Sequence, residues 1–413
     1  KQGGEPTQPT APAPTILPTH TPEPSPTPTP DPVGEALAGM TVEQKAAQLL
    51  VAGIEGTEPG EDAVQAVQGY QVGGVILFGR NVESAEQLAA LTNGLKELNG
   101  DYTPLFLCVD QEGGRVDRMP PEVTDLPSAL DFGSIADPEA RMDACFTLGQ
   151  TLAAQCAAFG FNMDFAPSLD IWSNPENTVI GDRAFGTDAA TVTGAANETA
   201  LGILSGGVIP VAKHFPGHGD TAVDSHYGLP VVDKSLEELE ELELRPFRQA
   251  IDTTCVYGTY GGDTSIPAIM VAHILLSQID PDNPASLSPE VVTGLLREEM
   301  GYEGVVCTDD LTMGAISNTY GMGEAAVLAV EAGCDLLLVC HGADNLAEAH
   351  AALVEAVDSG RIPEERLDES VRRILALKGA YGLINAPVEA PDIEALNDRI
   401  AALERSIEAD TSQ

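Results

Sequence analysis

Basic side chains are scarce: 20 Lys and Arg stand against 64 Asp and Glu, a formal net charge of −44. That balance argues against nucleic acid or an anionic membrane surface as partner, since both would be repelled. Its plain meaning is a highly solvated surface. Long apolar runs are missing too. No stretch of eighteen or more apolar residues occurs, so nothing reads as a membrane-spanning helix. Paired cysteine motifs are absent as well: Cys108, Cys145, Cys156, Cys255, Cys307, Cys334 and Cys340 are odd in number and scattered without a C-x-x-C spacing. A disulfide framework is not indicated. Cys108, Cys307 and Cys340 lie inside apolar runs, where cysteine acts as a small hydrophobe.

What is present divides the chain into three regions. Residues 1–32 are Pro, Thr and small side chains, ending Pro24-Ser25-Pro26-Thr27-Pro28-Thr29-Pro30-Asp31-Pro32. Such a segment cannot bury a core and reads as an extended tether. A tether of this kind, in a chain that starts at Lys1 without Met, suggests an exported, cell-surface protein whose leader has been removed, with attachment to the cell envelope through this end. Residues 33–385 are expected to form one folded domain, and 386–413 read as a polar helical tail. The chain is expected to act as a monomer.

Within the folded region short apolar runs recur: Gln48 to Ile54, Gly74 to Phe78, Leu105 to Val109, Met163 to Ala166, Val208 to Val211, Ala268 to Val271, Gly304 to Cys307 and Asp335 to Cys340. Helical patterns lie between them: Val82 to Leu98, Pro138 to Phe159, Ala189 to Leu204, Leu236 to Ile251, Pro289 to Met300, Gly323 to Ala332 and Asn345 to Val357. Thr41-Val-Glu-Gln44 reads as a capping box ahead of the first run, and an Arg-rich helix spans Pro363 to Leu383. Eight buried strands alternating with helices predict a closed parallel (β/α)8 barrel of the TIM type, with a doubly wound sheet as the alternative.

The densest chemistry lies in the fourteen residues from Lys213 to His226, which hold Lys213, three His and two Asp. His214 and His218 are four apart, as in helical zinc pairs, but Pro216, Gly217 and Gly219 forbid that helix. Asp224-x-His226 instead suits a carboxylate orienting an imidazole for proton transfer. Placed against the strands, Asp110, Arg115 and Arg118 follow the third, Asp170 the fourth, Lys213 and His214 the fifth, His273 the sixth, and Asp309 with Asp310 the seventh. These are C-terminal strand ends, where barrel enzymes build their sites. Arg115 and Arg183 are also readable as salt bridges on the barrel rim. Trp172, the single Trp, reads equally as a ligand platform or as core.

Four motifs carry a resemblance. Lys213-His-Phe-Pro-Gly-His-Gly-Asp-Thr-x-x-Asp-Ser-His226, Asp110-Gln-Glu-Gly-Gly-Arg-Val-x-Arg118, Gly181-Asp-Arg-Ala-Phe185 and Gly304-Val-Val-Cys-Thr-Asp-Asp-Leu-Thr-Met313 resemble the exo-β-N-acetylglucosaminidases of glycoside hydrolase family 3, and they span most of Thr41 to Leu383. The resemblance implies a retaining mechanism on terminal N-acetylglucosamine (GlcNAc) in peptidoglycan fragments or chitooligosaccharides. Asp309 is then the nucleophile and His226 the acid/base, held by Asp224. Asp110, Arg118, Arg183, Lys213 and His214 hold the sugar. No metal or organic cofactor is called for.

A histidine in place of the usual second carboxylate departs from the common retaining pattern. It adds no negative charge near the attacking group, so phosphate could replace water, and some relatives are phosphorylases. A non-catalytic glycan-binding protein is the remaining alternative. Family members acting on glucose or xylose generally use a second α/β domain, for which no room is expected after Leu383. Adjacent strand residues face opposite ways, so one of Asp309 and Asp310 is expected to face the sugar while Asp310 binds backbone. The loop from Pro216 to Pro230 is expected to close over bound sugar and carry His226 inward.

Overall fold

Side-chain caps fix where the helices of this chain begin. In the computed structural model, which describes residues 31–221, 228–253 and 266–411, the Thr41 hydroxyl accepts from Gln44 N–H while the Gln44 side chain accepts from Thr41 N–H, the reciprocal box that satisfies two orphan donors. Ser84, Asp137, Asp188 and Ser235 cap four later helices in the same way, each accepting from the backbone three residues on. Residues 1–30, Asp224, His226 and Cys255 lie outside the described residues.

Each apolar run becomes a parallel strand. The barrel strands are β1 (Leu50–Gly53), β2 (Gly74–Leu77), β3 (Phe106–Val109), β4 (Met163–Asp164), β5 (Ile209–Phe215), β7 (Ala268–Val271), β9 (Val305–Asp310) and β10 (Leu336–Val339). They hydrogen-bond in the closed order β1-β10-β9-β7-β5-β4-β3-β2. A separate two-stranded pair, β6 (Val231–Val232) and β8 (Leu275–Leu276), sits outside the barrel. Burial on both faces explains the uninterrupted apolar character of the strands. The (β/α)8 expectation holds, and the doubly wound alternative does not.

Two strands carry an extra residue at their C-terminal ends. Between β5 and β7 the register runs Ala212 to Ile269 and then Phe215 to Val271. Between β9 and β10 it runs Cys307 to Leu336 and then Asp310 to Leu338. Three steps on one strand against two on its neighbour is the signature of a bulge, which re-aims side chains locally. The bulges fall at Lys213-His214 and at Thr308-Asp309.

The helices differ from expectation in two places. The pattern Leu236 to Ile251 is split into Leu236–Glu241 and Arg245–Asp252, because Pro246 lacks the N–H a continuous helix would need and fits only a first turn. The tail forms the helix Ile393–Thr411 and buries Leu396, Ile400 and Leu403 at i, i+4 and i+7, packing on the helix Pro138–Ala158. That helix in turn lies so close to Ala189–Ser205 that a Cβ on Gly149 would come within 2.0 Å of the Thr199 carbonyl oxygen.

At the opposite end of the barrel from the bulges, the fully buried Asp335 gathers arginines from two helices. Its carboxylate accepts from Arg297 at 2.5 Å, Arg373 at 3.1 Å, Ser370 Oγ at 2.7 Å and the N–H of Val306 at 3.0 Å. Arg366 stands 3.8 Å away. Removing the acid leaves buried guanidinium groups without their counter-charge, which costs roughly 3–5 kcal/mol. Asp335→Ala should therefore lower the urea midpoint by that equivalent while leaving the KM of the folded fraction unchanged; a loss below about 1 kcal/mol would refute the role.

Candidate active site

The two bulged strands and β3 bring their polar ends to one cavity of about 410 Å³ at the C-terminal mouth of the barrel. Asp110 and Glu112 follow β3, Lys213 and His214 come from β5, and Asp309 and Asp310 from β9; Arg118 and Arg183 also line it. All six described candidates for catalysis and sugar binding thus share one cavity. Asp224 and His226 lie in the segment 222–227, outside the described residues.

A continuous chain of ion pairs organises one wall. Lys213 Nζ, itself buried, lies 2.8 Å from Asp110 Oδ1 and 2.5 Å from Glu112 Oε1. Glu112 then accepts both prongs of Arg183, at 2.9 and 2.7 Å, a bidentate geometry that fixes the guanidinium plane. Arg183 Nη2 lies 3.4 Å from His214 Nε2, and His214 Nδ1 lies 2.6 Å from Asp170 Oδ2. Burial alone would raise the Glu112 carboxyl, but Arg183 and Lys213 pull it well below the usual range. It is an anion at working pH and unsuited to donate a proton.

Asp309 lines the cavity with one carboxylate oxygen held by the N–H of Asp310 at 2.8 Å. Burial acts to raise its pKa, and the nearby His273, His214 and Lys213 outweigh that and keep it below the ordinary value. An ionised, positioned carboxylate results, the state a nucleophile requires. Asp310 accepts from the backbone of Thr312 (2.9 Å) and Cys340 (3.1 Å) and from the Thr312 hydroxyl (2.5 Å). Simple alternation would turn it away from the cavity, yet both aspartates line it. The bulge between Cys307 and Asp310 breaks the alternation.

Arg118 donates through Nη1 to Asp117 O at 3.1 Å, while its buried Nε finds no partner among the described residues. Of the residues with two readings, Arg115 is half-exposed on the rim, paired with Asp182 at 2.7 Å. Arg183 faces the cavity. Trp172 is not part of the cavity lining, and His273 is buried below it, bonded to Ser286 Oγ at 2.7 Å and Asp310 O at 2.9 Å.

The loop after β5 is anchored on its first side. Asn177 donates to His218 O at 2.7 Å and to Thr221 Oγ1 at 3.2 Å. Gly219 packs so tightly that a Cβ there would sit 1.7 Å from Ile171 O. Residues 216–219 are buried, which differs from a loop without anchors. His214 and His218 meet edge to face with centroids 5.8 Å apart.

Asp170 is the residue whose importance sequence reasoning underrated. It is fully buried and accepts from His218 N–H at 2.6 Å and Ser168 Oγ at 2.9 Å as well as holding His214. Its place just after the fourth strand was the one signal for it in the sequence. Burial would raise its carboxyl, but His214 and His218 bring it down to about 2.

The profile described as "Glycosyl hydrolase family 3 N terminal domain" matches residues 41–377. A beta-hexosaminidase of Nitrosomonas eutropha is 36% identical over 331 residues, covering 79% of this chain and 91% of that protein. A glycoside hydrolase family 3 beta-N-acetylglucosaminidase from Paenibacillus sp. str. FPU-7 superposes with a TM-score of 0.81 at 41% identity, covering 89% of this chain and 69% of that one. A beta-glucoside phosphorylase, BglX, bound to 2FGlc superposes with a TM-score of 0.78 at 25% identity, covering 92% of this chain and 66% of that one.

The Asp170 carboxyl gives a pH test. Its folded pKa lies below the ordinary unfolded value near 3.9, so its stabilisation is fully present above about pH 4 and is lost as pH falls toward 2. The stability gap between the wild type and Asp170→Asn should be largest at pH 5 and shrink by roughly 2–3 kcal/mol on descent to pH 2. A gap independent of pH, measured by urea titration across that range, would contradict the assignment. With the profile match over residues 41–377 and a cavity at the barrel mouth lined by two adjacent strand-end aspartates, the chain belongs to glycosyl hydrolase family 3 and is a glycoside hydrolase.

Proposed function

We propose that this enzyme is a retaining exo-β-N-acetylglucosaminidase, releasing terminal GlcNAc from peptidoglycan fragments or chitooligosaccharides. The observation that carries the reading is Asp309: an ionised carboxylate at the end of β9, facing a cavity whose opposite wall is a network of fixed charged donors and acceptors. The names of the relatives at 36% and 41% identity support the choice of sugar. In the first half-reaction Asp309 attacks the anomeric carbon as the bond to the leaving oxygen breaks, giving a glycosyl-aspartate. His226, with Asp224 beside it, gives its proton to that oxygen. In the second half the same imidazole takes a proton from water, which attacks the anomeric carbon and frees Asp309.

The sugar's hydroxyls are assigned to Asp110, Arg118, Lys213, Arg183 and His214. Lys213 and Arg183 are already locked by carboxylates, so they present fixed dipoles with little reorganisation on binding. A surface-anchored location through the Pro/Thr-rich residues 1–32 fits substrates derived from the cell wall.

Activity on para-nitrophenyl N-acetyl-β-glucosaminide should exceed that on the glucoside and xyloside; equal or greater turnover of the latter two would sink the reading. Asp309→Ala should abolish turnover of every substrate, since no covalent intermediate can form. His226→Ala should slow natural disaccharides by about 10²-fold or more while aryl glycosides, whose leaving groups need less protonation, suffer less in the first step. A disaccharide rate within about threefold of wild type would reassign the acid/base.

A second reading is phosphorolysis, favoured by the likeness to the beta-glucoside phosphorylase and by an acid/base that is not an anion. Product analysis in phosphate buffer separates the two. GlcNAc as the main product is expected, and GlcNAc 1-phosphate would overturn hydrolysis.

A further inference from the structure

The cavity has a second wall that the sugar-binding assignments leave unused. Phe78 follows β2 and His341 follows β10, and their rings stack with centroids 5.7 Å apart and planes 23° from parallel. Both line the cavity: Phe78 stands at the end of β2 next to β3 and Asp110, His341 Nε2 lies 3.8 Å from Asp310 Oδ2, and β1, which joins the two strands, lies across the barrel from β5. Neither strand end is loosely held. Phe78 N–H donates to Asn81 Oδ1 at 2.9 Å, and Asn81, fully buried, donates to Ile54 O and Gly56 O. The carbonyl of His341 accepts from Asn345 Nδ2 at 2.8 Å.

Arg80 ties the parts together. Its guanidinium lies 4.7 Å from the centre of the Phe78 ring, a cation–π distance. It donates to Cys340 O at 2.9 Å and to Ile54 O at 3.3 Å. Three strand ends, those of β1, β2 and β10, are thereby joined under one aromatic pair. Such a pair is preorganised, and its outer member, His341, keeps about half of its side chain exposed.

We propose that the Phe78–His341 stack is the platform for the leaving group, a pyranose ring whose C–H face lies on the aromatic surface when the terminal sugar occupies the charged wall. The proposal rests on the reading of Asp309 as nucleophile and of the charged wall as the seat of the terminal sugar. The chemistry of the two walls divides the work. Charged donors read the hydroxyl pattern of the sugar that is released, whereas an aromatic face reads ring shape. Arg80 is engaged with backbone carbonyls and with Glu55 at 3.2 Å. A platform of this kind selects for a pyranose leaving group and tolerates substituents on its hydroxyls.

The test compares N,N′-diacetylchitobiose, whose leaving group is a pyranose, with N-acetyl-β-glucosaminyl fluoride, whose leaving group is too small to reach the stack. His341→Ala, a change at an exposed side chain, should lower kcat/KM for the disaccharide about tenfold, the size of one lost stacking contact, and leave the fluoride within about twofold. His341→Phe should restore the disaccharide to within about threefold, which a role in hydrogen bonding or proton transfer would not. Phe78→Leu should reproduce the selective loss. Equal losses on both substrates would assign the wall to the terminal sugar and overturn the proposal, as would an unchanged disaccharide rate. A wild-type enzyme inactive on both would overturn the activity itself and the platform with it.

Discussion

The ammonium of Lys213 makes the rest of the site possible. Five carboxylates, those of Asp110, Glu112, Asp170, Asp309 and Asp310, gather at one barrel mouth, and alone they would repel one another and partly take up protons. Lys213 bridges two of them and Arg183 locks onto Glu112. Burial favours loss of the Lys213 proton, but Asp110 and Glu112 outweigh it and raise its pKa. The cation therefore stays charged where it is needed. Ion pairs of this depth seldom add net stability, since desolvation offsets the attraction. Their return is geometric: fixed charges with no reorganisation to perform at the moment of reaction.

The backbone makes this arrangement possible through the two bulges. Regular strands alternate, so Lys213 and His214 would face opposite sides, as would Asp309 and Asp310. The extra residue in β5 and the one in β9 place both members of each pair on the cavity. The ends of β1, β2 and β10 are joined by Arg80, and β2 and β10 pair with β1 in regular register.

Much of this was legible in the sequence, for identifiable reasons. All eight strands could be read because a barrel buries both faces and so writes each strand as an unbroken apolar run. Lys213, His214, Asp110 and Asp309 could be read because they sit one to three residues beyond those runs. The bulges could not, since register is a relation between strands and leaves no mark within one of them. Asp170 was underrated for a similar reason: its partners His214 and His218 lie 44 and 48 residues away and meet it only when β4 and β5 pair. The split near Leu242 was in plain view as Pro246, but the apolar pattern across it continued with helical spacing. The buried stripe of the C-terminal helix was hidden by its polar majority, because Leu396, Ile400 and Leu403 supply only one face.

Aspartate serves opposite ends in this barrel, and the local cations decide which. Asp164 lies within β4 and receives the Gln111 N–H at 2.9 Å. Burial dominates there and pushes its carboxyl well above the ordinary range, with Lys213 too weak an influence to reverse it. Burial there disfavours the charged form. Asp309 is also exposed to the penalty of burial, yet two imidazoles and the same lysine tip the balance the other way. Asp170, clasped by two histidines, goes lower still than an ordinary carboxylate. Depth in the barrel does not by itself set the charge state. Lys213 and His214 at the end of β5 and His273 beyond β7 favour an ionised Asp309 at the mouth, where a developing positive charge on a sugar ring would be stabilised.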